Sequence, residues 1–262
     1  MFTWSTRRTG GPSEPPRAAT VSLDPAALVE RALPARPPKN ARVAVLSVGK
    51  AALAMARGVL ARWSADPVDA LVVTVDSVDL GDAEQGCAAP TPQLTVLHAG
   101  YPLPDLRSVA AADRALALVR SLGDRDLCLA LISGGASSLL AAPPPSVTLA
   151  DKCALVAELL DAGAPISDVN LIRRHLSRVK GGRILAAAGA SRVLTYILSD
   201  VPGAAAHDIG SGPTVFDPTT LDDARAALAR WAPSRLQAFE PHLDESQKPA
   251  FPLRARWHFL AP

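Results

Sequence analysis

Two adjacent glycines, Gly134 and Gly135, follow an apolar run in the middle of the chain. The run, 127–132, is typical of a buried strand, and the segment 137–142 after the glycines favours a helix. A strand that ends at glycines and continues as a helix presents backbone N–H groups to an anion, and the missing Cβ lets a phosphate approach. Because Ser133 and Ser137 add hydroxyl donors, the stretch is a candidate phosphate-binding loop. Gly-Gly turns are common, so an ordinary strand–turn–helix corner remains the alternative.

A lysine stands at the end of another apolar strand. The run 43–48 continues directly into Gly49 and Lys50, and a helix is predicted from there to about Trp63. Ligands of open α/β sheets bind at the carboxyl ends of the strands, where a lysine in the first turn of a helix reaches a phosphate. Lys50 is therefore a candidate phosphate ligand, and a solvated surface lysine is the alternative.

The segment 169–183 is locally basic and ends in two glycines. In a helix, Asn170, Arg173, Arg174 and Ser177 share one side at spacings of three and four residues, so that side could face an anionic ligand. Charge runs are more often solvated helical faces, but the Lys180-Gly181-Gly182 ending is less usual for such a face.

A carboxylate follows the strand predicted at 193–198. Asp200 lies at the strand end, a standard position for a Mg²⁺ ligand, since Mg²⁺ takes one or two carboxylates together with substrate phosphates. A helix cap or a turn is the alternative for this residue. A second glycine-rich loop, 207–214, follows and contains Gly212.

The elements that must position these residues alternate between strands and helices. Apolar runs predict strands at 43–48, 70–75, 94–97, 127–132 and 193–198, and Asp24-Pro25 and Thr148 with Asp151 are typical of helix starts. The alternation predicts an α/β fold, a mostly parallel sheet with helices on both faces. Three strand ends carry polar or glycine-rich segments and meet at one sheet edge, which favours a phosphate site more than any single motif does.

Composition excludes several other classes of protein. The chain has 262 residues with a net charge of +2 and no basic stripe with interleaved aromatic residues, which argues against a nucleic-acid partner. No run approaches the eighteen or so apolar residues of a membrane span. Three cysteines without a CxxC pair indicate a reducing compartment and no zinc site. We expect a cytoplasmic protein, although the Arg-rich start leaves a mitochondrial transit peptide as the alternative.

Five motifs together resemble the type-2 glycerate kinase family. They are SVGKAALAMA (47–56), YPLPD (101–105), LISGGASSLL (131–140), VNLIRRHLSRVKGGRI (169–184) and LSDVPGAAAHDIGSGPTVFDPTT (198–220). Each motif alone is weak, but their order and spacing match the family over roughly residues 20–230. The resemblance implies a Rossmann-like N-terminal domain, a smaller C-terminal domain and an active site in the cleft between them.

The same resemblance implies an activity and the residues that carry it. It implies ATP-dependent phosphorylation of D-glycerate at the 2-hydroxyl with Mg²⁺, with Lys50 and Asp200 as the catalytic residues and Asp200 as the metal ligand. The residues implied to bind phosphate or nucleotide are Ser133, Gly134, Gly135, Ser137 and Gly212. The residues implied to contact the substrate are Asn170, Arg173, Lys180 and Gly181.

The resemblance also divides the chain. We expect a disordered N-terminus over 1–20, the family's α/β domain over 21–231, and an irregular tail over 232–262 in which the family's C-terminal domain is absent. Two other functions stay open: a non-catalytic member that only binds phosphate ligands, and a hydroxypyruvate reductase. The chain has no G-x-G-x-x-G followed by an acid about twenty residues later, which disfavours the reductase. A homo-oligomer is left open.

Overall fold

A computed structural model describes residues 24–35, 40–64, 66–76, 94–199, 201, 203–248 and 255–260. Within them, six strands form one sheet in which every pairing is parallel. The strands are β1 (Val43–Val48), β2 (Val68–Thr74), β3 (Leu94–His98), β4 (Leu127–Ser133), β5 (Arg192–Leu198) and β6 (Ala255–Phe259). Their order across the sheet is β3-β2-β1-β4-β5-β6, so the prediction of a parallel α/β sheet is confirmed.

The strand order reverses between β1 and β4. Strands β1, β2 and β3 extend the sheet in one direction and β4, β5 and β6 extend it in the other. Val48 is opposite Ile132 in register, and Leu198 is opposite Ser133. The carboxyl ends of β1, β4 and β5 therefore lie side by side, and in open α/β sheets a ligand crevice opens at such a reversal.

Helices cover both faces of the sheet. They are α1 (Pro25–Ala32), α2 (Ala52–Arg62), α3 (Leu106–Arg120), α4 (Ala136–Leu139), α5 (Leu149–Asp161), α6 (Ile166–His175), α7 (Arg183–Ala187), α8 (Leu221–Trp231) and α9 (Leu236–Phe239). Side chains alternate along a strand, so Val43 and Val45 pack with α1 and α2 while Leu46 and Val48 pack with α3 and α4. Burial on both faces explains why all six positions of β1 are apolar or small.

A separate apolar cluster joins α5, α6, α8 and α9. Leu155 and Leu159 of α5 pack there with Val169 and Ile172 of α6, and Leu228 of α8 closes the cluster. This small core sits beside the sheet and holds the C-terminal end of α6. The residues after α6 run across the carboxyl end of the sheet, since Arg178 N–H donates to the Ala142 carbonyl at 2.8 Å.

The prediction of an irregular tail after residue 231 is wrong for part of that segment. Helix α9 forms there, and β6 adds to the sheet edge through parallel pairing with β5, Ala255 lying opposite Val193. Four of the five β6 side chains are exposed, so the strand lacks the apolar pattern that identifies buried strands. Backbone hydrogen bonds to β5 define it instead. None of the described helices is long and apolar enough to cross a membrane.

Candidate active site at the strand reversal

The turns after β1 and β4 are hydrogen-bonded to each other. Lys50 N–H donates to the Gly134 carbonyl at 2.9 Å, and Ala51 N–H donates to Ser133 Oγ at 3.2 Å. Gly49 lies at φ +133°, and a Cβ there would stand 2.1 Å from Ser133 Oγ. Only glycine fits this contact, so the two turns form one rigid unit at the reversal point.

The Lys50 side chain lies over this unit. It is exposed, and its Nζ is 5.3 Å from the centre of the Tyr101 ring. In the described part of the chain the ammonium makes no hydrogen bond or ion pair. Gly135 lies at φ +90°, and an added Cβ would come within 3.2 Å of Lys50 Cγ and 3.4 Å of Tyr101 Cε2. The missing side chain thus lets the lysine and the tyrosine stand close to the glycine loop.

Ser137 connects the glycine loop to the basic segment. Its Oγ lies 2.9 Å from Ser211 Oγ, and its carbonyl accepts a 2.6 Å hydrogen bond from Lys180 Nζ. Lys180 also donates to the Leu140 carbonyl at 2.9 Å. Burial lowers the pKa of Lys180 well below its ordinary value, and the charges of Arg173 and Lys152 lower it further. The lysine therefore supports the loop from beneath, with its ammonium directed at carbonyl oxygens.

The second glycine-rich loop packs behind the first. Gly181 N–H donates to the Ser211 carbonyl at 3.0 Å, and Gly182 N–H donates to the Gly212 carbonyl at 2.7 Å. Gly212 is buried and Gly210 lies against Ala136 and Ile132. Gly181 and Gly212 therefore belong to the scaffold that links the two loops.

The two neighbouring arginines of α6 point to different places. Arg174 is 2% exposed and forms ion pairs with Asp217 at 2.9 Å and with Asp208 at 3.1 Å. Arg173 lines a cavity between α5, α6 and residues 102–104 instead. The expectation that both share one ligand-facing side with Asn170, which is buried, is wrong for Arg174, because this arginine ties α6 to the loop before α8.

Sequence reasoning missed two residues of this cavity that carry a functional group. Lys152 of α5 is buried, lines the same cavity as Arg173 and Lys180, and donates to the Leu176 carbonyl at the end of α6. Cys153 lines it as well. The only sequence signal is a lysine inside an otherwise apolar helix, because the burial of Lys152 depends on how α6 packs over α5.

The described side chains do not form a metal site. They include no cluster of three or more histidine, cysteine or acidic residues that could hold an ion. Asp208 belongs to the second loop and Asp217 follows it, but both are paired with Arg174. Asp200, the predicted Mg²⁺ ligand, lies outside the described residues, and its roles stay predictions.

Comparison with known proteins identifies a matching family and shows how much of each relative the chain covers. A family model described as "Domain of unknown function (DUF4147)" matches residues 15–243. A protein of Agrobacterium vitis, provisionally named hydroxypyruvate reductase, is 45% identical over 214 residues, which are 82% of this chain and 46% of that protein. D-glycerate 2-kinase of Thermotoga maritima is 36% identical over 190 residues, 72% of this chain and 44% of the kinase.

The fold matches a solved structure over most of the chain. The crystal structure of glycerate kinase from Thermotoga maritima aligns with a TM-score of 0.74 and 30% identity. The alignment covers 91% of this chain and 55% of that one. The chain thus spans about half the length of the curated relatives it matches.

Proposed function

Because the chain belongs to the DUF4147 family, the family of the glycerate 2-kinases that its motifs resemble, we propose that it phosphorylates D-glycerate with ATP. The γ-phosphoryl group of ATP passes to the 2-hydroxyl, giving ADP and 2-phosphoglycerate. The hydroxyl proton is released in the same reaction.

One observation carries this proposal: the hydrogen-bonded unit of the β1 and β4 turns presents the exposed Lys50 ammonium beside the glycine loop. Phosphoryl transfer depends on positioning and on neutralising the charge that spreads over the transferred group. Lys50 supplies that positive charge. Ser133, Gly134, Gly135 and Ser137 form the loop against which the phosphates of the nucleotide lie.

The remaining predicted residues take supporting or substrate roles in the same proposal. Lys180, Gly181 and Gly212 hold the loop in place, and Arg173 and Asn170 of α6 contact the acceptor. Asp200 binds Mg²⁺ or orients the acceptor hydroxyl. The described carboxylates near the loop, Asp208 and Asp217, are already paired with Arg174.

The test is phosphorus NMR of the 262-residue chain with ATP, Mg²⁺ and D-glycerate, beside Lys50→Met. We expect a 2-phosphoglycerate signal from the unchanged chain and a rate lower by about 10²–10³-fold in the variant, the range found when one charge-stabilising donor is removed. Arg192→Gln is the matched control, because Arg192 is exposed at the opposite, amino-terminal end of β5.

The result also decides between this function and a binding role. A folded chain that forms no product but broadens the ATP signals, with broadening lost in Lys50→Met, is a non-catalytic phosphate binder. Product that forms equally well in Lys50→Met refutes the assigned role of the lysine.

Hydroxypyruvate reduction is the second candidate, because the relative from Agrobacterium vitis carries that name. The turn after β1 reads Gly49-Lys50-Ala51-Ala52 and lacks the G-x-G-x-x-G that brings a dinucleotide pyrophosphate close to the backbone. NADH oxidation in the presence of hydroxypyruvate is measured by the absorbance at 340 nm. We expect no decrease in this absorbance.

The substrate is a small molecule, and the proposal includes no nucleic-acid or membrane partner. Cytoplasmic location belongs to the same proposal and is supported by the free thiols of Cys128 and Cys153. A homo-oligomer remains open to measurement by light scattering.

A further inference from the structure

The cavity between α5, α6 and residues 102–104 has an unusual charge. Its volume is about 120 Å³, well below the roughly 300–1,000 Å³ of pockets for drug-sized ligands, so it suits a small molecule. Three cationic side chains line it, those of Lys152, Arg173 and Lys180, and among the described residues no acidic side chain does. Ala141, Val156 and Leu160 supply much of the remaining wall.

Arg173 is the cation without a partner in this cavity. Within the described ranges its guanidinium makes no hydrogen bond or ion pair, whereas neighbouring Arg174 has two carboxylate partners. Arg173 is half-buried, and this burial lowers the pKa of its guanidinium. Charged groups taken out of water are stable only when they are paired, so the guanidinium favours an anion in the cavity.

Lys152 fixes the end of the helix that carries Arg173. Its Nζ donates to the Leu176 carbonyl and lies 3.5 Å from the Arg173 carbonyl. Burial lowers the pKa of Lys152 to about 7, with further lowering by the charges of Arg173 and Arg183 and a smaller opposite effect of Cys153. Lys180 is the other cation on the cavity wall. The charge of Lys152 therefore responds to any anion that enters.

The cavity is continuous with the candidate phosphate loop, because Ser137 lines the cavity and also belongs to the loop. We propose that the cavity binds the carboxylate of the small hydroxy acid that accepts the phosphoryl group, with Arg173 as its ligand and Lys152 as a proton-linked positioning residue. The identity of the acid rests on the proposed function. The anionic class of the ligand rests on the cavity itself.

Cys153 gives a test that needs no turnover. Its thiol lines the cavity and is partly exposed, whereas Cys128 is fully buried. Alkylation of Cys153 by iodoacetamide is followed by mass spectrometry with no nucleotide present. We expect saturating D-glycerate to slow the reaction at least fivefold, and glycerol, which lacks the carboxylate, to leave it unchanged.

Two variants distinguish binding by Arg173 from a general effect of the positive charge of residues 169–183. Arg173→Gln is expected to abolish the protection, while Arg178→Gln, which removes a nearby arginine paired with Asp113 at the surface, is expected to keep it. Protection that survives in Arg173→Gln overturns the proposal. Protection by inorganic phosphate and not by D-glycerate also overturns it, because the cavity is then a phosphate site.

Proton uptake tests the role of Lys152 without any substitution. A group with a pKa of about 7 is mostly deprotonated at pH 7.5, so an anion bound beside it draws in more than about half a proton. Calorimetry of D-glycerate binding in two buffers of different ionisation enthalpy measures this number. We expect the dissociation constant to rise up to tenfold per pH unit above pH 7. In Lys152→Arg we expect a shallower rise, because Lys180 is then, among the described residues, the one lysine with a lowered pKa that lines the cavity.

Zero proton uptake, or the same pH profile in Lys152→Arg as in the unchanged chain, overturns the positioning role. Failure here is distinguishable from failure of the proposed function. Protection of Cys153 without phosphoryl transfer keeps the cavity and refutes the kinase. Phosphoryl transfer without protection or proton uptake keeps the kinase and refutes the cavity.

Discussion

Replacing Asp217 by Asn removes one charge from a buried ion pair at nearly constant volume. Asp217 is fully buried and pairs with Arg174, which is 2% exposed. It also accepts hydrogen bonds from Thr219 N–H at 3.0 Å and from Thr219 Oγ1 at 2.7 Å. The change therefore leaves the Arg174 charge buried with only Asp208 as its partner, at 3.1 Å.

The size of the loss follows from burial. Breaking a buried pair by removing one partner costs about 3–5 kcal/mol, because the remaining charge stays out of water. Asp208 is one-third exposed and compensates in part, so we expect the lower end, about 3 kcal/mol of unfolding free energy. For a chain of this size that corresponds to a melting temperature lower by roughly 6–12 °C.

The measurement is urea denaturation followed by circular dichroism, with Asp113→Asn as the control. Asp113 pairs with Arg178 at 3.0 Å, but both side chains are more than one-third exposed, so this control is expected to lose about 0–1 kcal/mol. The double variant Arg174→Met/Asp217→Asn also removes the buried charge, so we expect it to recover part of the lost unfolding free energy.

The effect also has a predicted pH dependence. Burial alone would raise the pKa of Asp217, but the Arg174 charge and the Thr219 hydrogen bonds lower it below its usual 3.8. A lowered pKa stabilises the fold fully above the unfolded value and loses that contribution as pH falls through the folded value. The difference in unfolding free energy between the unchanged chain and Asp217→Asn should stay constant from pH 8 to about 5 and shrink in stronger acid. A loss below about 1 kcal/mol at pH 7, equal to that of Asp113→Asn, refutes the reasoning.

Two further substitutions test the glycine loop and its lysine. Gly49→Ala forces a Cβ to 2.1 Å from Ser133 Oγ at φ +133°, whereas Gly163→Ala meets nothing within 4 Å at φ +78°, so denaturation should show a larger loss for Gly49. A loss at Gly49 no larger than that at Gly163 would contradict the steric role of the Ser133 contact. Tyr101→Ala removes the ring beside Lys50, and since an exposed cation–π contact contributes about 0.5–1 kcal/mol, kcat/KM should fall roughly two- to fivefold. Tyr101→Phe keeps the ring and should stay near the unchanged rate, so a fall in that variant contradicts a ring effect.

The central strands β1 and β4 could be predicted because each is buried and nearly continuously apolar on both faces. β1 begins and ends where the apolar run 43–48 does, and the other predicted strands differ from the observed ones by at most two residues at either end. The helix starts followed from their caps, since Asp24 accepts from Ala26 N–H and Thr148 accepts from Asp151 N–H. These signals are local, so the sequence contains them without tertiary information.

The candidate site could be predicted in part. The convergence of the ends of β1, β4 and β5 followed from parallel strands alone, and Lys50 with the glycine loop lies where the pattern placed it. Helical spacing could not distinguish Arg173 from Arg174, because adjacent residues differ by only 100° and the buried acid Asp217 is 43 residues away. Strand β6 was not predicted for a related reason, because it is defined by backbone pairing with β5, which is distant in the sequence.

The contact between the two turns has a consequence for the order of folding. Ala51 N–H takes its acceptor, Ser133 Oγ, from 82 residues further along the chain. At about 5–20 residues per second, β4 follows β1 out of the ribosome roughly 4–16 s later, and β1 must keep one side free for it throughout. Under the proposed function, phosphate binding at the glycine loop would require that the sheet has closed around β1, which would make such binding a probe of complete assembly during synthesis.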